Sequence, residues 1–273
     1  MLICAAGCGR IGFGDARTAT HDGAVATDGA PTLDAVPSDA APAAIAIAHV
    51  GVWSAPASQL SRTLATSTSR QTFTFASWYK ASAIAEMLMC AGISSQQQSF
   101  LWADQSDGTI VFQHQEGGSA WAGFPEAQPW PYLGVWIHLV LSVDLTQPAV
   151  DQRVRWWIDG IPHVVNSGTD PNFVQGQQLY LGDAVLHTIG NKFDGSYNWT
   201  GELAETYLIW GHALEPAAFI VGSGAATRSI AYAGPIEAES VYFDYATPGK
   251  NGLAGQPDWT ATQLTASTTD LPY

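Results

Sequence analysis

Aromatic side chains are concentrated in two stretches that contain many Gly, Pro and Asn residues and therefore read as loops. One stretch runs from 115 to 134, and the other, NKFDGSYNWT, runs from 191 to 200. The C–H face of a pyranose ring stacks on Trp and Tyr, while amide groups bind the sugar hydroxyls. The sequence therefore predicts a carbohydrate platform in these loops. Its candidate members are Trp121, Phe124, Gln128, Trp130, Tyr132, Tyr197, Asn198 and Trp199.

The same aromatic residues have a structural interpretation. Aromatic side chains close to strand ends also cap the open ends of a hydrophobic core, where their large area is buried. For any one of these residues this alternative stays open. Loops carry binding residues more often than the strands that support them, which is why the two stretches are considered together.

Four aspartates in predicted turns could supply oxygen ligands to Ca²⁺, which prefers carboxylates and backbone carbonyls. They are Asp104, Asp107, Asp183 and Asp194. Aspartate is also frequent in turns because its side chain accepts hydrogen bonds from nearby backbone amides. Calcium is therefore the one metal cofactor that the sequence leaves open.

Catalytic motifs are missing from the sequence. It contains no G-x-S-x-G, H-E-x-x-H or C-x-x-C. Glu202 and Glu205 are three residues apart, which predicts opposite faces of a strand, with Glu205 facing inward and either paired or chemically active. His138 and His163 lie beside Trp and Val in predicted strands, which is typical of structural histidines. We therefore predict that the protein is not an enzyme.

The elements that must position these residues are strands. They are clearest in Trp136–Val165, which reads as two strands, a hairpin turn and a returning strand. Apolar and polar residues alternate in its two halves with the period of two that marks a half-buried strand. Asp159-Gly160 is a dipeptide that favours a two-residue hairpin turn. Pro162 cannot donate to a β-ladder, so the returning strand is predicted at a sheet edge.

Further strands are predicted along the chain, with a central one at Gln71–Lys80 because both of its faces are apolar. In Leu203–Trp210, odd-numbered residues are predicted to share one face, and HALEPAAFI after it reads as one helical turn. The remaining predicted strands are 85–93, 100–103, 109–114, 179–182, 187–190 and 241–245. Short strands at regular turn spacing predict an all-β, two-sheet antiparallel sandwich.

Composition narrows the functional classes. The 273 residues carry a formal net charge of −14, which disfavours nucleic acid and anionic lipid as partners. Three cysteines, Cys4, Cys8 and Cys90, do not make a disulfide framework, and Cys90 lies in an apolar run typical of a buried thiol. The sequence has no apolar run of about 18 residues that would predict a membrane span.

Four regions are predicted along the chain. Residues 1–14 resemble a short bacterial lipoprotein leader, because the run Ala5-Ala6-Gly7-Cys8 is similar to a lipobox whose cysteine is lipidated. Residues 15–48 form an acidic linker rich in Ala, Pro and Asp that is expected to be disordered. Residues 49–246 form the sandwich, and residues 247–273 form a tail rich in Gly, Thr and Ser.

The order of segments resembles the concanavalin A-like lectin and glucanase superfamily, in its laminin-G-like jelly-roll form. The resemblance covers about residues 63–220 and rests on Trp136, His138, Asp144, Asp159, Gly160, Gly201, Glu205, Leu214 and Phe219. It implies a jelly-roll sandwich that binds sugars, proteins or calcium, or hydrolyses β-glucans. The E-x-D-x-x-E run of the glucanase members is absent from this sequence.

The end of the chain resembles the tail that follows this domain in structural proteins of tailed phages and marine viruses. The matching positions are Tyr242 or Tyr245, Asn251, Trp259, Thr260, Asp270 and Pro272. Together with the lipobox-like start, this resemblance leaves two kinds of protein open: a bacterial surface lipoprotein and a virion component.

The sequence as a whole predicts a non-catalytic module that binds a glycan or a partner protein outside the cytoplasm, on an outer surface or in a virion. Two alternatives are a virion or fibre structural protein without sugar binding, and a glycan hydrolase that uses Glu205. A membrane is expected as a partner only through a lipid anchor at Cys8, and homo-oligomers are expected for a virion component.

Overall fold

The computed structural model describes residues 42–83, 86–103, 110–117, 119–123, 133–163 and 173–273, with the backbone alone described for 119–123. In this part of the chain, strands and turns account for nearly all regular structure. The described strands form two large sheets and one separate two-stranded sheet, and every strand pairing is antiparallel. The predicted all-β sandwich is confirmed.

Seventeen strands are present in the described residues. They are β1 (Val50–Trp53), β2 (Gln59–Thr63), β3 (Thr72–Ala81), β4 (Met87–Ser94), β5 (Gln97–Ala103), β6 (Ile110–Glu116), β7 (Ser119–Gly123), β8 (Ile137–Asp144), β9 (Val154–Ile158), β10 (Ile161–His163), β11 (Leu186–Ile189), β12 (Gly201–Trp210), β13 (Ile220–Val221), β14 (Arg228–Ser229), β15 (Val241–Phe243), β16 (Thr260–Thr262) and β17 (Thr265–Ser267). Single 3-10 turns occur at Val150–Gln152, Pro216–Ala218 and Gly224–Ala226.

The strand order separates the two layers. One sheet has eight described strands in the order β10-β9-β8-β3-β12-β1-β17, with β15 also paired to β12. The other has seven described strands in the order β16-β2-β11-β4-β5-β6-β7. They are called here the eight-stranded and the seven-stranded sheet. Within the described residues, no helix is long and apolar enough to cross a membrane.

The hairpin predicted within Trp136–Val165 is present as β8, β9 and β10. Its turn residues Asp159 and Gly160 have φ angles of 50° and 74°, the left-handed conformation that a two-residue hairpin turn requires. Asp159 Oδ1 accepts a hydrogen bond from the backbone N–H of His138 at 2.7 Å. Pro162 lies in β10, which is an edge strand of the eight-stranded sheet, as predicted.

The predicted central strand is confirmed as β3, which lies between β8 and β12. Phe73, Phe75 and Tyr79 of β3 lie in the core between the sheets, whereas Ala76 and Trp78 face the other way. Large aromatic side chains that are fully buried fill much of this core. They are Trp53, Phe73, Phe75, Tyr79, Phe112, Trp156, Trp199, Trp210, Phe243 and Tyr245.

The outer face of the eight-stranded sheet is apolar and is covered by chain that lies outside the two layers. The sheet contributes Ala76, Trp78, Val140, Trp157, Ala204, Tyr207 and Ile209. Three cover segments, residues 42–49, 211–236 and 247–273, pack against it. They contribute Ile47, Leu214, Phe219, Ile220, Tyr232, Leu253 and Leu271. This face is therefore part of the hydrophobic interior.

The sequence left open whether the segment after Thr247 folds back on the domain, and in the structure it does. β16 pairs with β2 of the seven-stranded sheet, and β17 pairs with β1 of the eight-stranded sheet. The hydroxyl of Tyr273 donates to the backbone oxygen of Ile45 at 2.7 Å and accepts from the backbone N–H of Ser229 at 3.0 Å. Residues 247–273, themselves a cover segment, thus join both sheets and the other two cover segments.

One predicted strand is wrong. Residues Leu179–Gly182 form a turn, with Gly182 at a φ of 84° and the backbone N–H of Asp183 donating to the Tyr180 oxygen. Leu179 and Leu181 are fully buried. Their apolar character reflects insertion into the core from a turn, and a short apolar run cannot distinguish this from a buried strand.

The hairpin turn generates a testable prediction. Asp159→Ala removes the acceptor for the His138 amide and leaves alanine in the left-handed region, so we expect a loss of about 2 kcal/mol in unfolding free energy. Asp159→Asn keeps an oxygen acceptor and a residue that tolerates this conformation, so it should lose less than about 1 kcal/mol. Urea unfolding of the three proteins measures the difference, and equal losses for both variants would contradict this account.

Candidate functional site

The outer face of the seven-stranded sheet contains a groove with a volume of 330 Å³. Strands β4, β5 and β6 form its floor, and residues between β11 and β12 form one wall. Since successive side chains of a strand point to opposite faces, Gln98, Phe100 and Trp102 of β5 face the groove while Leu101 lies in the core. The lining residues are Met87, Ser95, Gln98, Phe100, Trp102, Gln113, Gln115, Lys192 and Tyr197.

Aromatic rings give the groove its shape. Trp102 meets Phe100 edge to face with ring centroids 6.0 Å apart, and it meets Tyr197 in the same way at 6.1 Å. Phe100 is 5 % exposed, Trp102 is partly exposed, and Tyr197 is 43 % exposed. The exposed area therefore increases from the floor toward the wall, and Trp102 and Tyr197 provide the surface on which a ligand ring can stack.

The wall is the loop between β11 and β12, folded back over β4. The backbone N–H of Met87 donates to the Tyr197 oxygen at 2.9 Å, which fixes the loop to the start of β4. The Asp194 carboxylate accepts from the backbone and the hydroxyl of Ser196 at 3.0 and 2.5 Å, which closes a tight turn. These hydrogen bonds lower the pKa of Asp194 despite the opposing effect of desolvation. Tyr197 has a φ of 53°, so its side chain is held in position by a turn.

Three glutamines supply the polar part of the floor. Gln98 donates from Nε2 to the Ser95 oxygen at 3.0 Å and to Gln115 Oε1 at 2.5 Å. The amide nitrogen of Gln115 and the whole amide of Gln113 make no hydrogen bond to any described residue. Donors and acceptors are therefore available beside the aromatic rings, where a polar ligand would need them.

The eight residues predicted for the carbohydrate platform have different positions. Tyr197 lines the groove. Trp199 is fully buried in the core and packs on Tyr79 with ring centroids 4.7 Å apart, which is the structural interpretation left open for it. Asn198 is partly buried next to it and does not line the groove.

The other predicted members lie at or beyond the limit of the described residues. Trp121 is in β7, where the backbone register places it opposite Gln113, and its side chain is not described. Trp130 and Tyr132, together with Phe124 and Gln128, lie outside the described residues. Their role in sugar binding stays a prediction.

Sequence reasoning missed most of the groove. Phe100 and Trp102 were correctly assigned to a strand. It was not recognised from the sequence that they share a solvent-facing side of that strand with Gln98 and form an aromatic surface there. The signal was present, because Gln98, Gln113 and Gln115 occupy alternate positions of two neighbouring strands. Lys192 was overlooked as a loop residue.

The candidate calcium ligands that the structure describes have other partners. Asp183 accepts hydrogen bonds from the Ser67 hydroxyl and the Ala184 amide, and it lies 3.2 Å from the Arg70 guanidinium. Asp194 closes the turn described above. Asp104 and Asp107 lie outside the described residues. Among the residues that are described, no three His, Cys, Asp or Glu side chains are close enough to hold a metal ion.

The histidines and the buried cysteine considered in the sequence analysis lie in strands, where they contribute to the structure and not to the groove. His138 is 1 % exposed, and burial lowers its pKa to about 3, so it is neutral at physiological pH. His163 lies in β10 opposite Trp156. Burial raises the pKa of the Cys90 thiol to about 12, in agreement with the predicted inert buried thiol.

A serine, a histidine and a glutamate are close together between β5 and β6. Ser99 Oγ lies 2.9 Å from His114 Nδ1, and His114 Nε2 lies 3.7 Å from Glu116 Oε2. Ser99 is fully buried and its hydroxyl oxygen accepts from the backbone N–H of Tyr180. A nucleophile must reach its substrate, so this arrangement is a core hydrogen-bond network and not a hydrolytic triad.

The prediction that Glu205 shares an inward face with Leu203 and Tyr207 is wrong. A β-bulge between Ala204 and Tyr207 puts Glu205 at a φ of 47° and reverses the alternation. Leu203 lies in the core, whereas Tyr207 lies on the covered outer face. Glu205 is 5 % exposed there, and its carboxylate accepts from the Tyr242 hydroxyl at 2.6 Å. Its environment is that of a paired, structural carboxylate.

The prediction that Glu202 and Glu205 lie on opposite faces of β12 is also wrong. Because of the bulge they lie on the same face. They still belong to separate groups. Glu202 pairs with Lys80 at 3.6 Å, and Lys80 also bonds Asp270 of a cover segment. Burial raises the pKa of Glu205, and the Tyr242 hydrogen bond opposes that effect. Neither carboxylate lines the groove.

Two antiparallel sheets with a continuous core between them define a jelly-roll sandwich of the lectin-like class. The sequence model of the concanavalin A-like lectin/glucanases superfamily matches residues 54–218, which is more than half of the chain. The chain therefore belongs to this superfamily. No curated protein matches the chain significantly.

Solved structures from several organisms resemble this one. A proposed carbohydrate-binding protein from Bacteroides ovatus is 14 % identical with a TM-score of 0.52, over 84 % of this chain and 62 % of that chain, which is less than two thirds of its length. A heptameric SAP-like pentraxin from Limulus polyphemus is 20 % identical with a TM-score of 0.43. The match covers 74 % of this chain and 94 % of the pentraxin chain. The LG4-5 domains of mouse laminin α1 are 12 % identical with a TM-score of 0.41. The match covers 70 % of this chain and 48 % of the laminin chain. At these identities the similarity concerns the fold.

The burial of Glu205 generates a pH prediction. An ordinary glutamate has a pKa of 4.5, and burial raises the pKa of Glu205, so the folded protein keeps this proton to higher pH than the unfolded chain. Wild-type stability should therefore decrease as pH rises above 4.5, through the raised native pKa. Glu205→Gln keeps an acceptor for Tyr242 without the charge, so its stability advantage over the wild type should grow with rising pH.

Unfolding free energies of both proteins between pH 4 and 8 measure this effect. Glu215→Gln is the matched control, because that side chain is 65 % exposed and its partner Arg155 stays charged throughout this pH range. A stability difference between Glu205→Gln and the wild type that does not change with pH, or that shrinks as pH rises, would contradict the burial argument.

Proposed function

We propose that this protein is a non-catalytic carbohydrate-binding module whose ligand occupies the groove of the seven-stranded sheet. The observation that carries the proposal is the combination, in one groove, of partly exposed aromatic rings and of amide groups that keep hydrogen-bonding capacity unused by the described residues. Trp102 and Tyr197 line the groove with rings at right angles to each other, and Gln113 and Gln115 present polar groups beside them. Stacking on a C–H face together with amide hydrogen bonds is the usual basis of sugar recognition.

The distribution of carboxylates supports binding without hydrolysis. Glycoside hydrolysis requires two carboxyl groups on either side of the scissile bond. None of the described residues that line the groove is an Asp or a Glu. Glu205, the hydrolytic alternative, lies on the other sheet under the cover segments, and its oxygen is bonded to Tyr242.

The family and one structural neighbour agree with this proposal. The superfamily contains lectins, and the Bacteroides ovatus protein that shares the fold is itself a proposed carbohydrate-binding protein. Fold similarity alone does not define a ligand, because function depends on the site. The proposal therefore depends on the groove residues.

We further propose a location outside the cytoplasm, as a surface lipoprotein or a virion component. The lipobox-like run before Cys8 supports the first, and the tail positions around Trp259 and Asp270 support the second. Mass spectrometry of the mature N-terminus should find Cys8 as a lipidated first residue in the lipoprotein case. An unmodified Met1 would exclude that case, and symmetric oligomers in light scattering would favour a virion component.

Binding to a glycan array is the first test of the proposed function, and calorimetry with the best ligand is the second. Replacing an aromatic anchor typically costs about 2 kcal/mol, or about 30-fold in Kd, and we expect this loss for Trp102→Ala and for Tyr197→Ala. Ile236→Ala is the control, because Ile236 is exposed on a cover segment of the opposite sheet.

The result has two clear outcomes. Loss of binding in the two groove variants, with normal binding by the control and unchanged unfolding curves, supports the proposal. Failure of the wild type to bind any glycan would reject it and favour a partner protein as the ligand. Tyr197→Ala is the decisive variant if Trp102→Ala proves unstable, because Tyr197 is the more exposed ring.

A further inference from the structure

The groove carries one feature that neutral sugar binding does not require. Lys192 lines it, although the side chain is only 11 % exposed and the chain as a whole is strongly acidic. Burial of a lysine ammonium is costly unless the charge has partners. The surroundings of this ammonium therefore indicate what the groove accepts.

Aromatic rings and one exposed carboxylate surround Lys192. Its Nζ lies 5.6 Å from the ring centroid of Phe193 and 5.8 Å from that of Tyr197, within the range of cation–π attraction. Asp194 Oδ2 lies 3.4 Å away, but that carboxylate is 44 % exposed, and its other oxygen, Oδ1, accepts two hydrogen bonds from Ser196. An ion pair with an exposed partner is worth little.

In the part of the chain that the structure describes, the Lys192 ammonium has one anionic partner, the Asp194 carboxylate at 3.4 Å, and this contact helps to lower the pKa of Asp194. A single carboxylate oxygen engages one N–H, so donors of the ammonium remain for a ligand. Among the described residues that line the groove, Lys192 is also the one charged side chain. A fixed, partly desolvated cation with free donors, next to stacking rings and amides, is complementary to a ring that carries a negative charge.

We propose that the groove selects acidic saccharides, with Lys192 binding the carboxylate or sulfate group of a sugar whose ring stacks on Trp102 or Tyr197. This inference rests on the proposed carbohydrate-binding function and adds the chemical class of the ligand. The long-range repulsion from the acidic chain is screened within about 8 Å at physiological salt, so the local cation decides the preference.

The test compares acidic oligosaccharides with neutral counterparts that differ in that group alone. One pair is a uronic acid oligosaccharide and its carboxyl-reduced form, and the other is a sulfated oligosaccharide and its desulfated form. The wild type should bind the acidic member of at least one pair about tenfold more tightly or better, because a charge-assisted hydrogen bond is lost in the neutral member. The pair that shows the preference identifies the acidic group.

Variants of Lys192 assign the preference to this side chain. Lys192→Met keeps the apolar stem over Phe193 without the charge, so it should lose the acidic preference while binding the neutral member within about twofold of wild type. Lys192→Arg should keep the preference. Lys250→Gln is the matched control, because Lys250 is an exposed lysine that does not line the groove.

The outcomes separate this inference from the proposed function. Equal binding of both members of each pair by the wild type would overturn the inference and leave carbohydrate binding intact, as would an acidic preference that survives in Lys192→Met. Absence of binding to either member, with no ligand on the array, would reject the proposed function as well.

Discussion

An apolar outer face on the eight-stranded sheet is the constraint on which the rest of the structure depends. A two-layer sandwich needs to bury two sheet faces, but here a third face carries Trp78, Trp157, Tyr207 and Ile209. An apolar surface of this kind is not left in water by a monomeric soluble protein. Three segments of the chain cover it, which explains why residues before β1 and after β15 belong to the same folded unit. No comparable segment among the described residues covers the fourth face, and that is where the groove lies.

Local signals in the sequence were sufficient for the layers themselves. Asp159-Gly160 defines a hairpin by its backbone preference, and the strands on either side of it follow from a period of two that needs no knowledge of distant residues. The same holds for β3, whose two apolar faces correctly predicted a central position. The covered outer face is the physical reason that both faces of β3 are apolar.

The candidate site was harder to predict because its members are distant in the sequence. Trp102 and Tyr197 are 95 residues apart and meet because the loop after β11 folds back over β4. Trp199 shares that loop with Tyr197, but it enters the core while Tyr197 stays at the surface. Composition assigns both residues to one exposed loop, and only the path of the backbone separates them. The bulge at Glu205 is a similar case, since one extra residue in the ladder reversed the predicted faces.

The eight-stranded sheet is packed on both faces, and the seven-stranded sheet carries the groove. This difference affects how the protein can change over evolutionary time. Substitutions on the eight-stranded sheet disturb packing on both of its faces, so they need compensating changes in the segments that cover it. Substitutions at Gln113, Gln115 or Tyr197 alter surface chemistry with little effect on the packed interior. A lineage that carries this domain can therefore acquire a new ligand through a few changes on one sheet, while the other sheet preserves the fold.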